Sequence, residues 1–599
     1  MASEHDQEIE SAALGGDIHH MIDPTVPELS ALETMRHSAA HLMADAIKRL
    51  WPEAKLAFGP HTEDGFYYDI EMPHRLSPDD FPAIEAKMAE IVAGKHPFVR
   101  EEISRAEAIA LFEGLGEQFK VEAIHSIPEG APLTLYRSGE FVDLCRGPHV
   151  ADTGKLRAVK LMRVAGAYWR GNEKGPMLQR LYGTAFGDPK ELRLYLAQLE
   201  EAKKRDHRKL GVELGLFHFD PIAPASPFFT QRGATIYNLL QTYVRGLYRK
   251  YGYGEVITPQ IFDMELFKTS GHYDHYKDNM FMCEIDERQF GVKPMNCPGH
   301  CILYRQTRHS YRELPIRMAD FGRLHRYERA GVTHGLTRVR TFCQDDAHVF
   351  CRPDQLEQEI TLVTKMILET YKVFGFDEVE IEISTRPDSF LGEVETWDRA
   401  EAALADALRQ LGIAFKINPG DGAFYGPKID FGVRDALRRR WQLGTVQLDF
   451  QLPQRFELEF VASDDSRERP VMIHRAMLGS LERFFGVYLE HTAGKFPAWL
   501  APVQIAILPI TDAHVAWADE VEVACRAAGL RVETDRRSEK LGLKIREATL
   551  LRVPYMLVLG DKEVEARGVA ARSRDGATSP LESLDVFVSR LLEETKIPG

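Results

Sequence analysis

From Glu33 to Leu50 apolar residues recur at positions 35, 39, 42, 43, 46, 47 and 50, the spacing of one face of an amphipathic helix. A turn-then-strand pattern follows in Phe58–Asp69, and the mixture of both periods continues to about residue 185, predicting an α+β domain. Asp188–Leu210 (with KELRLYLAQLEEAKKRDHRKL) predicts one long charged connector helix whose basic end KKRDHRK is free to touch a phosphate backbone. Between 211 and 500 the pattern predicts a helix over 234–251, a strand at Glu255–Pro259, a helix near 354–373 and a strand at Val379–Ile383. A helix over 399–411, strands at Tyr425–Phe431 and Gly444–Phe450, and a strand running into a helix over Val471–Phe484 complete that block. These strands alternate polar and apolar residues, which favours an antiparallel sheet. Beyond Pro497-Ala-Trp-Leu-Ala-Pro502, strands at 503–508, 530–533 and 554–559 alternate with helices at 512–528 and 539–551, predicting a small doubly wound α/β domain. Residues 1–30 show no sustained period and read as a flexible leader.

A chain of 599 residues exceeds one core, and 44% hydrophobic with 28% charged residues is ordinary soluble globular material. No apolar run approaches the roughly 20 residues that span a bilayer. The acidic start MASEHDQEIE fits neither a secretory signal nor a transit peptide, so a cytoplasmic location and no membrane partner are expected. Seven cysteines without framework spacing argue against disulfides and leave metal or catalytic roles open. The net charge of −15 does not advertise nucleic acid, yet residues 536–552 carry six Lys or Arg against two Glu, a basic island.

Candidate chemistry gathers in Lys293-Pro-Met-Asn-Cys-Pro-Gly-His300 and in Phe321–Phe350, where seven arginines or histidines lie between Arg323 and Arg340. Arginine forks suit a polyphosphate, and a cysteine with a histidine offers soft metal donors. Taken alone, the stretch reads first as an arginine-rich solvated hairpin over a buried free cysteine, and only second as a ligand site. The chain has no GxxxxGK[ST] loop and no GxGxxG, so a nucleotide site must rely on arginines. A second inventory is His37 and His41, four apart on one helix face, with Cys145 and His149 of Asp143-Leu-Cys-Arg-Gly-Pro-His149. It is zinc-like, or it is a set of unrelated polar residues on a surface helix and a turn; spacing leaves both open.

In order and spacing, HSAAH at 37–41, DLCRGPH at 143–149, KPMNCPGH at 293–300, HRYE at 325–328, TRVRTFCQDDAH at 337–348, WQLGTVQLDF at 441–450, HRAMLGSLERF at 474–484 and GDKEV at 560–564 resemble the threonyl-tRNA synthetases, class II aminoacyl-tRNA synthetases. The resemblance runs from about His37 to the C-terminus. It implies an editing domain over 31–187, a connector over 188–210, a class II antiparallel-sheet catalytic domain over 211–500 and an α/β anticodon-binding domain over 501–599. Bacterial members usually begin with a ubiquitin-like module, for which the stretch before His37 is too short, so that module is expected to be absent.

The resemblance implies one catalytic Zn²⁺ per subunit on Cys297, His348 and His474, and Mg²⁺ with ATP. Arg326 would bind the α-phosphate and the threonine carboxylate, with Arg338 and Arg483 on the γ-phosphate. Phe342 would stack on adenine and Glu328 read its amino group, with Gln442, Thr445 and Ser480 also lining the ATP site. Asp346 would accept the threonine hydroxyl, and Met295, Gln344, Tyr425 and Gln447 line the amino-acid pocket. His272 matches the proposed base at the ribose 2′-hydroxyl; otherwise it is a surface histidine in a polar loop. Serine lacks only a methyl of threonine, worth roughly 10–200-fold, so a second, hydrolytic site is expected. By resemblance it comprises His37, His41, Tyr68, Lys120, Asp143, Cys145 and His149, working through side chains and positioned waters without an obligatory metal. Ser538, Arg552, Glu563 and Arg572 match anticodon-contacting positions, although the family often has Asn where this chain has Ser538. Expected partners are tRNA(Thr), ATP, L-threonine and a second copy of the chain, paired near 234–259, with no DNA. A silent RNA-binding paralogue and a freestanding editing hydrolase are the alternatives; filled phosphate and zinc positions disfavour the first, and intact 293–484 the second.

Overall fold

The computed structural model describes residues 29–172 and 175–599, so the expected leader lies outside the described residues save for Leu29 and Ser30. The chain packs as two compact units, one ending at Glu200 and one spanning Glu201–Gly599. Among the described residues no helix is long and apolar enough to cross a membrane.

In the first unit the helix Ala31–Leu50 starts at a capping box, where Ser30 takes the Glu33 N–H and Glu33 takes the Ser30 N–H. Its apolar stripe, Ala39, Ala40, Met43, Ala44 and Ile47, is fully buried in one core with Phe66, Tyr68, Leu181 and Ala185. Those partners lie on a four-stranded sheet in the order Lys55–Leu56, Phe66–Glu71, Met177–Phe186, Ala158–Tyr168. Small side chains on the stripe let the helix approach the sheet closely. A three-stranded sheet (Val99–Ile103, Leu133–Ser138, Phe141–Leu144) delivers Asp143 and Cys145, and the helix Gln118–Ser126 delivers Lys120.

The expected connector over 188–210 is two helices, Pro189–Arg205 and His207–Glu213. Asp206 breaks it, with φ −47° and ψ 120° and a side chain that accepts the Arg208 N–H, an N-cap that restarts the helix. Within the basic end His207 is fully buried, Arg205 pairs with Glu201 and Arg208 with Asp206, while Lys203, Lys204 and Lys209 stay exposed.

The second unit is built on an eight-stranded sheet. Its strands are β1 Gly254–Glu255, β2 Ile316–Asp320, β3 Asp346–Cys351, β4 Val379–Ser384, β5 Lys416–Asn418, β6 Lys428–Arg434, β7 Arg440–Asp449 and β8 Val471–Ala476. They lie in the order β1-β2-β3-β8-β7-β6-β4-β5, antiparallel except for the two edge pairs. The strand expected at Glu255–Pro259 is confined to β1. Pro259 has no N–H to give a ladder, and the Thr258 hydroxyl turns instead to Asp320 Oδ2 at 2.8 Å. The helices Leu356–Val373, Val394–Gln410 and Leu481–Thr492 contribute Ile360, Val363, Leu404, Leu408, Phe484 and Leu489 to the main core. The second of these begins five residues earlier than its periodicity suggests.

The C-terminal part of this unit has Ile505–Pro509 paired in parallel with Val532–Thr534 and Tyr555–Leu559, and Ala571–Ser573 antiparallel at one edge. Trp517, Val521 and Phe587 form a core with Ile505 and Ile507, whereas Ala548 packs with Ala506 and Leu508. Alternate strand residues thus meet helices on opposite faces, the doubly wound arrangement.

Candidate active site

Register across the central strands assembles the first site. His348 of β3 faces His474 of β8, which faces Gln447 of β7. Directly opposed residues share a face, so three distant segments meet in one row. Cys297 reaches the same place from the first position of the helix Cys297–Arg305. One donor atom from each of Cys297, His348 and His474 lies within 4.8 Å of the others, all three residues buried. His348 Nε2 is 3.0 Å from His474 Nδ1. The remaining nitrogens have partners of their own: His474 Nε2 lies 2.8 Å from Asp449 Oδ2, and His348 Nδ1 lies 2.7 Å from His300 Nδ1. Asp449 holds the proton on His474 Nε2 and leaves the Nδ1 lone pair facing the cluster. Burial pushes the Cys297 thiol up and the His348 imidazole down. One sulfur and two imidazoles, oriented from outside and joined by no fourth donor among the described residues, fit an open zinc site.

Around it, Asn296 Nδ2 donates to Asp346 Oδ2 at 3.0 Å, and burial pushes the Asp346 carboxyl up. The Tyr425 hydroxyl donates to Gln447 Oε1 at 2.5 Å while its ring stacks on His474, with centroids 5.0 Å apart. Met295 Sδ lies 3.0 Å from His272 Nε2. His272 is not a surface residue: it is fully buried, 3.8 Å from the Cys297 sulfur, and burial drives its imidazole down to about 3.

The expected arginine hairpin forms from Arg323–His325 paired antiparallel with Thr341–Cys343. Arg326 lies 5.0 Å over the Phe342 ring, and its Nε donates to the Pro294 carbonyl at 3.2 Å. Arg338 pairs with Glu328 at 3.1 Å. Arg483 donates to the carbonyls of Gln442 (3.1 Å) and Thr337 (3.2 Å), and its N–H meets the Ser480 hydroxyl that caps the helix Leu481–Thr492. Gln344 bridges to Ser480, and Thr445 Oγ1 is buried with no hydrogen-bond partner among the described residues.

In the first unit, Cys145 Sγ lies 3.3 Å from both His37 Nε2 and His149 Nε2, and the His37 and His41 rings are 5.3 Å apart. Beside them Lys120 pairs with Asp143, Lys120 Nζ donates to the Tyr68 hydroxyl at 2.9 Å, and that hydroxyl donates to Asp143 at 2.5 Å. Burial drives His37 down to about 4, lowers His41 and His149 as well, and pushes the Cys145 thiol up to about 12. At neutral pH the cluster is therefore three neutral imidazoles and a thiol. The thiol is no nucleophile in that state.

Three family models match the chain. Residues 281–492 match the tRNA synthetase class II core domain (G, H, P, S and T), residues 504–594 the anticodon binding domain, and residues 133–182 the threonyl and alanyl tRNA synthetase second additional domain. The threonine–tRNA ligase of Bdellovibrio bacteriovorus is 54% identical over 96% of this chain and 88% of its own length. The chain belongs to the threonine–tRNA ligase family. The family's member in Acetivibrio thermocellus is 52% identical over 94% of this chain and 89% of its own. The solved RNA binding domain of threonyl-tRNA synthetase from Cryptosporidium parvum Iowa II superposes with a TM-score of 0.64 at 46% identity, covering 66% of this chain and 99% of that one.

The four anticodon-matching residues of this family member lie in the C-terminal part of the second unit. Ser538 is exposed in the loop before the helix Leu541–Leu550, and Glu563 caps its own short helix by accepting the Gly560 N–H at 2.9 Å. Arg572 sits opposite Met556 on the edge strand, its Nε buried and unpartnered. Arg552 lines a crevice with Arg232, Leu214 and Phe496, its Nε likewise unpartnered. Sequence reasoning missed the supporting groups Asn296, His300 and Asp449. Each sits inside a quoted motif, His300 three residues after Cys297 and Asp449 two after Gln447, and that proximity was the available signal.

Proposed function

We propose that the chain ligates L-threonine to tRNA(Thr) through a threonyl-adenylate, converting ATP to AMP and pyrophosphate, and hydrolyses mischarged seryl-tRNA(Thr) at a second site. The convergence of Cys297, His348 and His474 in one buried cluster carries this reading. A zinc held by those three would supply a Lewis-acid seat for an amine beside a β-hydroxyl, the feature valine lacks. Asp346, steadied by Asn296, accepts a hydrogen bond from the threonine hydroxyl, and Tyr425 with Gln447 closes the pocket around the side chain. Arg326 faces both the carboxylate and the α-phosphate and stabilises the charge that develops as they join. Phe342 receives adenine, Glu328 reads its amino group, and Gln442, Thr445 and Ser480 complete the nucleotide pocket. Arg338 and Arg483 hold the γ-phosphate, with Mg²⁺ accompanying ATP. His272 is assigned the role of accepting the proton of the ribose 2′-hydroxyl.

Serine keeps both chelating groups, so the first site alone leaves it about 10–200-fold disfavoured. The Lys120–Tyr68–Asp143 network beside His37, His41, Cys145 and His149 answers that need: buried polar groups with fixed partners hold an ester and a water. We assign editing to 31–187, the connector to 188–210, catalysis to 211–500 and anticodon binding, through Ser538, Arg552, Glu563 and Arg572, to 501–599. A homodimer pairing near 234–259 is supported by Ile257, 90% exposed, and Ile261, 54% exposed. Seven cysteines free of disulfides suit a cytoplasmic setting. Threonine-dependent ATP–pyrophosphate exchange by zinc-loaded protein tests the reading; no exchange would sink it.

A further inference from the structure

Outside these sites, one buried imidazole holds a turn of the arginine hairpin. His207 is fully buried, and both its main-chain N–H and its Nδ1 meet Glu490 Oε1, at 2.9 and 2.6 Å. Opposite, the Leu336 N–H donates to His207 Nε2 at 2.9 Å. A backbone amide can only donate, so Nε2 carries a lone pair and the proton sits on Nδ1. Glu490 selects that tautomer and is itself held by Arg439 at 2.6 Å. Asp206, His207 and Glu490 also cluster like metal ligands, but both ring nitrogens are committed and none is left for a cation.

The approach is close. Gly335 has φ +48°, and a Cβ there would sit 2.1 Å from His207 Nε2. On the other flank, a Cβ at Gly486 would be 3.2 Å from Leu336 Cβ and 3.4 Å from His207 Cδ2. The residues just beyond Leu336 lead to the phosphate-directed arginines. The Thr337 carbonyl accepts from Arg483 Nη1, and Arg338 exchanges main-chain hydrogen bonds with His334 at 3.1 and 3.2 Å.

We propose that His207 is a positioning residue for the nucleotide: by holding Leu336 it presets the 334–338 turn, so that Arg338 and Arg483 meet the terminal phosphates without ordering cost at binding. This rests on the ATP assignment made above. The test is ATP–pyrophosphate exchange at saturating threonine. His207→Asn keeps a donor toward Glu490 but is too short to accept from Leu336. It should raise KM for ATP about five- to tenfold, the size of one net hydrogen bond, with KM for threonine and zinc content unchanged. His207→Gln returns an acceptor to the Leu336 side and should recover most of that loss, whereas a purely structural role predicts that Asn, which keeps the Glu490 bond, is the milder change. Gly335→Ala should raise the same KM from the loop side. Arg338→Ala separates the two readings. If it leaves KM for ATP unchanged, the phosphate assignment fails; if it raises KM while His207→Asn and Gly335→Ala do not, the positioning role is overturned. Equal losses for Asn and Gln, in both KM values and in zinc content, overturn it as well.

Discussion

The two histidine–cysteine clusters have nearly the same inventory and different wiring. At Cys297, His348 and His474, Asp449 and His300 occupy the outward nitrogens and aim the inward ones at a common point. At His37, His41, Cys145 and His149, the Cys145 sulfur faces two imidazoles, His41 Nδ1 is buried without a partner, and His149 Nδ1 is spent on the Ser38 hydroxyl at 3.0 Å. A Lys–Asp–Tyr network lies beside them. Donor count alone would call both metal sites. The two clusters differ in their outer partners, a carboxylate and an imidazole at the first and a serine hydroxyl at the second.

The strongest way to break that contrast is His474→Ala, which should abolish zinc stoichiometry and threonine-dependent exchange together while hydrolysis of preformed seryl-tRNA persists; metal analysis beside both assays reads it. Next, His37→Ala with Cys145→Ala should leave threonylation and zinc content intact and let seryl-tRNA accumulate on charging with serine. Undetectable seryl-tRNA would undo the editing assignment. Asp449→Asn should loosen zinc by about 10–100-fold in a chelator competition, without affecting editing. The last test moves stability rather than turnover. His37 is held at about 4 against an ordinary 6.5, so it stays neutral when folded while the unfolded chain takes up a proton more readily. Its contribution is whole above about 6.5 and is lost as pH falls toward about 4, so melting of the first unit should drop across that window and do so less steeply in His37→Ala, with His41 and His149 keeping the rest of the dependence.

Local pattern was enough for the helix carrying His37 and His41, because its apolar stripe is a single amphipathic face. It also gave the strand-to-helix run into Leu481–Thr492, the antiparallel sheet and the doubly wound C-terminal part. It failed at Asp206, where one side-chain cap outweighs a continuous charged pattern, and at Pro259, which has no N–H to give a ladder. His474 could not be picked from 22 histidines by spacing, since its partnership with His348 is a register fact joining strands 126 residues apart. The resemblance supplied that residue. Burial of His272 was equally invisible, because its polar sequence neighbours describe the exposed side of the segment and not the pocket.

The row His348–His474–Gln447 carries a consequence for how such a chain can change over generations. Point substitutions can retune this pocket one group at a time. A single inserted or deleted residue within Val471–Ala476 would instead turn His474 to the opposite face, separating it from both neighbours at once. Length changes should therefore be excluded from the three central strands far more strictly than side-chain changes are, and be confined to the loops that join them.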